Sequence, residues 1–279
     1  MIHRMPKPQR IYRRNKGTSS ISLAYEGQRA DTEQSAPGIK LTNLGLVGLD
    51  YVLGGGLPEN SAYLLMGGSG THYVTFANQA IYNHLSQGGK AVYYAPETPL
   101  NDAIEDLALY HWNIRGYLDD KSLVYSRPMP PQLQSLSDLM QDNPMEEVIK
   151  LGSSLAGLTK DFVEKLKEGR WSVFSPSYLM SVYPQQEVTD LIMFWVSAVH
   201  KYGGVHFLTL PEGVHDEKHV NFIKSLVDGV MTFKFAQGFG QAEGEVEIQK
   251  LRRVIPKSKS FRHTVQADGI AIETTARIG

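Results

Sequence analysis

The residues with most chemical promise lie in Leu64–Gln79, L-L-M-G-G-S-G-T-H-Y-V-T-F-A-N-Q. An apolar run feeds a glycine-rich turn, and an amphipathic segment follows. That is the layout of a phosphate-binding loop. Its pattern, G-x-x-x-x-G-K-[ST], supplies backbone N–H groups that cradle phosphates, a lysine for the β and γ phosphates, and a hydroxyl for Mg²⁺. With Gly67 as the first glycine and Gly70 as the inner one, the loop reads Gly67, Gly68, Ser69, Gly70, Thr71, His72, Tyr73, Val74. His72 then stands at the second motif glycine, Tyr73 at the lysine and Val74 at the hydroxyl. His72 puts a side chain where the backbone must come close to phosphate. Tyr73 brings no positive charge, and Val74 no oxygen. A charge-assisted hydrogen bond is worth roughly 1.5–3 kcal/mol, and each 1.4 kcal/mol is about tenfold in affinity. Losing all three should weaken triphosphate binding by several decades. Thr75 is no substitute, because it lies roughly 100° further round the helix.

Other groups offer less. His215 and His219 are spaced i, i+4, but the run H-D-E-K-H lacks the H-E-x-x-H order and a third ligand. A solvated helix start is expected there, and no metal. Lys257, Lys259, Arg262 and His263 form a basic stretch around Phe261 that suits nucleic-acid contact. An exposed loop between two edge strands is the plainer expectation. The chain has no cysteine, which excludes disulfides, thiolate metal sites and thiol nucleophiles.

Placing these groups requires an alternating scaffold. Short apolar runs at 62–66, 91–95, 123–126, 171–174 and 204–210 read as strands. Helical spacing predicts helices over 75–87, 99–112 and 187–202, with 132–168 mostly helical. Pro99 suits a helix start. Strands alternating with helices imply βαβ units and a mostly parallel sheet. Residues 229–236, 244–254 and 269–274 read as strands with no helix between them, so a β-rich antiparallel C-terminal edge is expected on an α/β core.

Residues 1–38 read as a tail, with Arg4, Lys7, Arg10, Arg13, Arg14 and Lys16 making it basic. It is expected to be a solvated, disordered arm, and contact with nucleic acid is the alternative. Residues 39–279 form the domain. The net charge of −1 over 279 residues gives no global field toward DNA or membrane. No apolar run reaches the roughly 20 residues of a spanning helix, and the N-terminus lacks a secretory core. A soluble cytoplasmic protein is expected.

The run G-L-D-Y-V-L-G-G-G-L-P, Gly48–Pro58, is more specific than the loop. It resembles the opening of KaiC-like proteins of the RecA superfamily, where G-L-D and G-G-G-L-P precede the first core strand and the Walker A loop. A-V-Y-Y-A-P-E-T-P at 91–99, Trp112, D-G-V-M-T-F at 228–233 and K-L-R-R-V-I-P-K-S-K-S-F-R-H at 250–263 extend the resemblance over residues 40–275. It implies a RecA-like fold, an oligomer and an archaeal-type chain. It also implies that Ser175 stands where the Walker B strand carries aspartate, and a neutral hydroxyl is a poor ligand for a hard dication. Glu97, followed by Thr98, keeps the first member of the family's glutamate pair. It is either a vestigial base or a polar residue at a strand end. Lys250 and Arg252 match a lysine-x-arginine that reaches the neighbouring subunit's γ-phosphate, in the manner of an arginine finger. A charged outer face of an alternating strand is the other account.

The expectation is a catalytically degenerate RecA/KaiC-like protein, a pseudo-ATPase acting as scaffold or regulator. It would bind itself or an active homologue in a ring or filament. No cofactor is expected. Two alternatives stay open: an unconventional ATPase using ATP and Mg²⁺ through protonated His72, and a DNA-binding accessory paralogue.

Overall fold

Along β3 (Ser61–Gly67) successive side chains enter different cores. Tyr63 and Leu65 join one apolar cluster, and Ala62, Leu64 and Met66 join another. A strand buried on both faces reads as an unbroken apolar run rather than an alternating one, which is the signature of a parallel strand between helical layers. The computed structural model describes residues 38–46, 48–130, 133, 143–152, 154–236 and 243–273.

Among these residues lies one ten-stranded sheet. Besides β3 it contains β4 (Ala91–Tyr94), β5 (Leu123–Met129), β6 (Glu146–Lys150), β7 (Trp171–Phe174), β8 (Val205–Pro211), β9 (Gly229–Phe235), β10 (Glu243–Leu251), β11 (Ser260–Gln266) and β12 (Gly269–Ile272). The order is β12-β11-β10-β9-β3-β8-β7-β4-β5-β6. From β9 to β6 all neighbours are parallel. From β9 to β12 they are antiparallel. A separate antiparallel pair, β1 (Leu41–Thr42) and β2 (Leu57–Pro58), precedes the sheet. This is the α/β core with an antiparallel C-terminal edge that the sequence pattern implies.

On one face lie α2 (Tyr73–Ser86), α3 (Leu100–Ala108) and α4 (Arg115–Asp119), after the short α1 (Leu49–Leu53). Phe76, Ala77, Ala80, Ile81 and Leu85 form the buried stripe of α2. On the other face lie α5 (Ala156–Lys167), α6 (Ser177–Val182), α7 (Gln185–Tyr202) and α8 (Glu217–Leu226). Trp195, wholly buried in α7, is the largest side chain there.

Two expectations need correction. The segment expected to be mostly helical over 132–168 contains β6 and begins its described helix only at Ala156. Pairing with β5 in register, Tyr125 with Glu146 through Met129 with Lys150, overrides local preference there. The basic stretch expected as a loop enters β11 at Ser260, between β10 and β12. Alternating Phe261, His263 and Val265 carried that signal. Of the expected tail, residues 1–38, all but Gly38 fall outside the described residues. No described helix is long and apolar enough to cross a membrane.

Candidate functional site

The apolar side chains of β3 end at Gly67-Gly68, and α2 begins six residues later. Gly70 and His72 take φ of 80° and 68°, so the turn uses the left-handed region twice. For His72 that conformation carries a steric cost that glycine escapes. Tyr73 and Val74 are the first two helical residues.

The hollow of the turn is furnished from within. A Cβ at Gly67 would sit 2.2 Å from Thr71 Oγ1 and 3.1 Å from the Tyr73 ring. Thr71 is buried, and its hydroxyl donates to the Gly68 carbonyl at 2.8 Å. Tyr73 is half-buried against the α2-side core. Burial first, and then the nearby Glu97 carboxylate, push its phenol pKa up. Val74 stays 42% exposed.

A second layer comes from the C-terminal strands. The Phe235 ring lies against Gly70, where a Cβ would be 3.3 Å from its Cζ. The His263 ring packs over Gly244 and stands edge-on to His72 and Phe233, with centroids 6.1 Å and 5.9 Å away. His263 is fully buried and neither ring nitrogen has a hydrogen-bond partner. Burial, and to a smaller degree His72, push its pKa down to about 4. The expected basic surface of residues 257–263 is therefore divided. His263 turns into the core, and the Lys257 ammonium lies 4.1 Å over the Tyr51 ring.

Glu97 and Ser175 stand at the ends of β4 and β7. Glu97 Oε1 accepts the Tyr178 N–H at 2.7 Å. That N–H is one of the unpaired donors in the first turn of α6, so the carboxylate serves as a helix cap. Ser175 donates its backbone N–H to the Tyr94 carbonyl at 2.9 Å, and its side chain lines a cavity beside α2.

Lys250 and Arg252 lie at the opposite end of the sheet from the loop, where β10 pairs with the start of β9. Lys250 Nζ donates to the carbonyls of Lys224, Ser225 and Val227 at 3.0, 2.9 and 2.6 Å. A cation on the last carbonyls of α8 complements that helix's negative end. Burial and then Arg252 lower the lysine pKa. The Arg252 side chain is 56% exposed and reaches Asp228 at 3.4 Å. Sequence reasoning missed the role of Asp228. Its buried carboxylate accepts from Ala62 N–H at 3.0 Å and meets His200 Nε2 at 2.7 Å and Arg253 at 3.6 Å. Its position at the head of D-G-V was visible, but its partners are 24 to 166 residues away.

His215 and His219 do not converge on one ligand. His215 Nε2 bonds Ser177 Oγ at 2.7 Å, and His219 Nε2 bonds Thr189 Oγ1 at 2.9 Å. The expected solvated helix start is half right. Asp216 caps α8 through the His219 N–H, but His219 itself is buried.

The KaiC ATPase family model matches residues 42–277, most of the chain. The chain belongs to the KaiC family. The circadian clock oscillator protein KaiC of Thermosynechococcus vestitus is 30% identical over 252 residues, covering 88% of this chain and 46% of that protein. The UPF0273 protein of Pyrococcus furiosus is 32% identical over 82 residues, 29% of this chain and 33% of that one. The matches thus span between a third and a half of these relatives. Among solved structures, the KaiC-like protein of Pyrococcus horikoshii OT3 superposes with a TM-score of 0.64 at 19% identity, covering 84% of this chain and 99% of that one. The flagellar accessory protein FlaH of Methanocaldococcus jannaschii gives 0.61 at 18%, covering 83% and 97%. At those identities the likeness establishes the RecA-like fold of the KaiC family and nothing about activity.

Proposed function

We propose that this KaiC-family chain has given up ATP hydrolysis and acts as a regulatory or scaffold subunit through protein contacts. The observation that carries the reading is the furnished loop: Thr71 and Tyr73 fill the space above Gly67, and Tyr73 and Val74 begin α2. A magnesium triphosphate needs a cation and an oxygen at the start of that helix. At the positions that would supply them, Tyr73 offers no cation and Val74 no oxygen, so the fit to the group is poor. Glu97, near enough to Tyr73 to raise its phenol pKa, is engaged by the first turn of α6.

The partner we propose is a second copy or an active homologue in a ring or filament. Arg252 is the better candidate for a trans-acting group, because Lys250 is already bound to the end of α8. Calorimetry with ATP and Mg²⁺, with native mass measurement alone and with an active homologue, tests the reading. No binding and no turnover, with assembly independent of ATP, are expected. Micromolar binding with turnover would overturn it.

A further inference from the structure

Beside the loop, at the C-terminal ends of β4, β7 and β8, lies a cavity of about 130 Å³ that the function above does not use. It opens between α2 and α3, at the place where successive strands of a parallel sheet part and ligands enter. Its volume is close to that of a cavity known to hold one benzene-sized ring, about 150 Å³.

The lining has a definite chemistry. Tyr93 and Tyr125 contribute two nearly parallel rings, centroids 5.7 Å apart at 22°. The Tyr93 hydroxyl donates to Asn78 Oδ1 at 3.0 Å, which turns the Asn78 amide nitrogen loose as a donor. The Tyr125 hydroxyl donates to the Thr98 carbonyl at 2.9 Å. Ser175 and Thr209 also line the space and bring a hydroxyl each. Thr209 is only 4% exposed, so what its hydroxyl can reach is the cavity. Asp106, on α3, is the one charged residue in the described lining, and it is negative.

The geometry points to a binding site for a small, planar, single-ring nitrogen heterocycle, uncharged or cationic, carrying an exocyclic N–H donor. Flat aromatic walls accept a ring face. The hydroxyls and the Asn78 amide pair with ring nitrogens. The Asp106 carboxylate accepts from the exocyclic amine and repels an anion. Phosphates and carboxylates are therefore poor occupants, although the phosphate loop is a few residues away. The inference goes beyond the proposed function and does not depend on it, since of the loop residues 67–74 only Val74 lines the cavity.

The probe is 2-aminopyrimidine, with orotate as a larger, anionic pyrimidine. Amide NMR spectra of the full chain are recorded during each titration, with Thr209→Val and Ala103→Leu beside the wild type. A ring of seven heavy atoms should bind with a dissociation constant of about 1 mM. Shifts should centre on Tyr125, Ser175 and Thr209, with orotate at least about tenfold weaker. Thr209→Val, nearly the same shape, should weaken binding about tenfold and leave the rest of the spectrum intact. Ala103→Leu should abolish it by filling the space. Equal affinity for orotate, or unchanged affinity in Thr209→Val, would overturn the inference, as would silence at these residues in a folded wild type. A parallel ATP titration, read at residues 67–72, separates the two proposals. Tight ATP binding alongside ring binding would end the scaffold reading and keep this one.

Discussion

At the start of β3 and β9 the buried carboxylate of Asp228 gathers the Ala62 N–H, His200, Arg252 and Arg253. Lys250 closes α8 beside it. At the far end of the same strands, where Gly67 pairs with Phe233, the nearby groups are Thr71, Tyr73, His72, His263 and Phe235. One end is held by charge and the other by neutral rings and hydroxyls. Both stabilise, but they answer to different perturbations. The charged end fails when its buried anion is removed, because the cations gathered on it are left uncompensated. The neutral end fails when shape or protonation changes. In this chain the buried carboxylate and its cations lie at the end away from the glycine turn, while the Lys234–Glu247 pair near the turn is exposed.

Substitutions that break this contrast can be ranked. Asp228→Ala should have the largest effect, about 3–5 kcal/mol of stability, because it strips a buried charge centre of its anion. Urea denaturation measures it, and a loss below about 1 kcal/mol would mean that the charged end is no keystone. Next comes the combined His72→Gly, Tyr73→Lys, Val74→Thr change. By restoring the cation, the oxygen and the bare turn, it should raise ATP affinity by about 100-fold or more in calorimetry. A wild type that already matches the triple variant would contradict the neutral-end account.

Glu97→Ala should cost about 0.5–2 kcal/mol through the lost cap on α6. It should leave any ATPase rate unchanged, and a drop in turnover instead would restore Glu97 as a base. The imidazoles of His84, His206 and His263 are each pushed down to about 4, chiefly by burial. In the unfolded chain they titrate near 6.5. Their contribution is therefore complete above about pH 6.5 and is lost as pH falls toward 4, since the unfolded chain binds the extra protons. Urea midpoints at a series of pH values should decline across that window. His263→Phe should make the decline shallower by removing the loop-end histidine, and an unchanged slope would place the effect at the other histidines lowered by burial, His84, His206, His215 and His219. Arg252→Ala is the mildest, within about 0.5 kcal/mol, because its side chain is mostly in water. Its test is assembly with a homologue, where an undiminished stimulation would remove it as a trans-acting group.

The order of strands and helices, the glycine turn after β3 and the antiparallel edge were legible in the residues themselves. Period-two and near-3.6 spacing, punctuated by Gly67-Gly68 and Gly88-Gly89, encode local geometry directly. The residue types at 72–74, a histidine, a tyrosine and a valine, were equally plain. What needed the fold was every partnership across distance. Asp228 meets Ala62 from 166 residues away. The basic residues of 250–263 divide into a helix clamp, a buried imidazole and a lysine over Tyr51. A charge in a sequence has no direction until strand pairing assigns its face, and no energy until burial sets the dielectric around it. The sequence determined which groups this protein owns, and tertiary structure decided which of them water can reach.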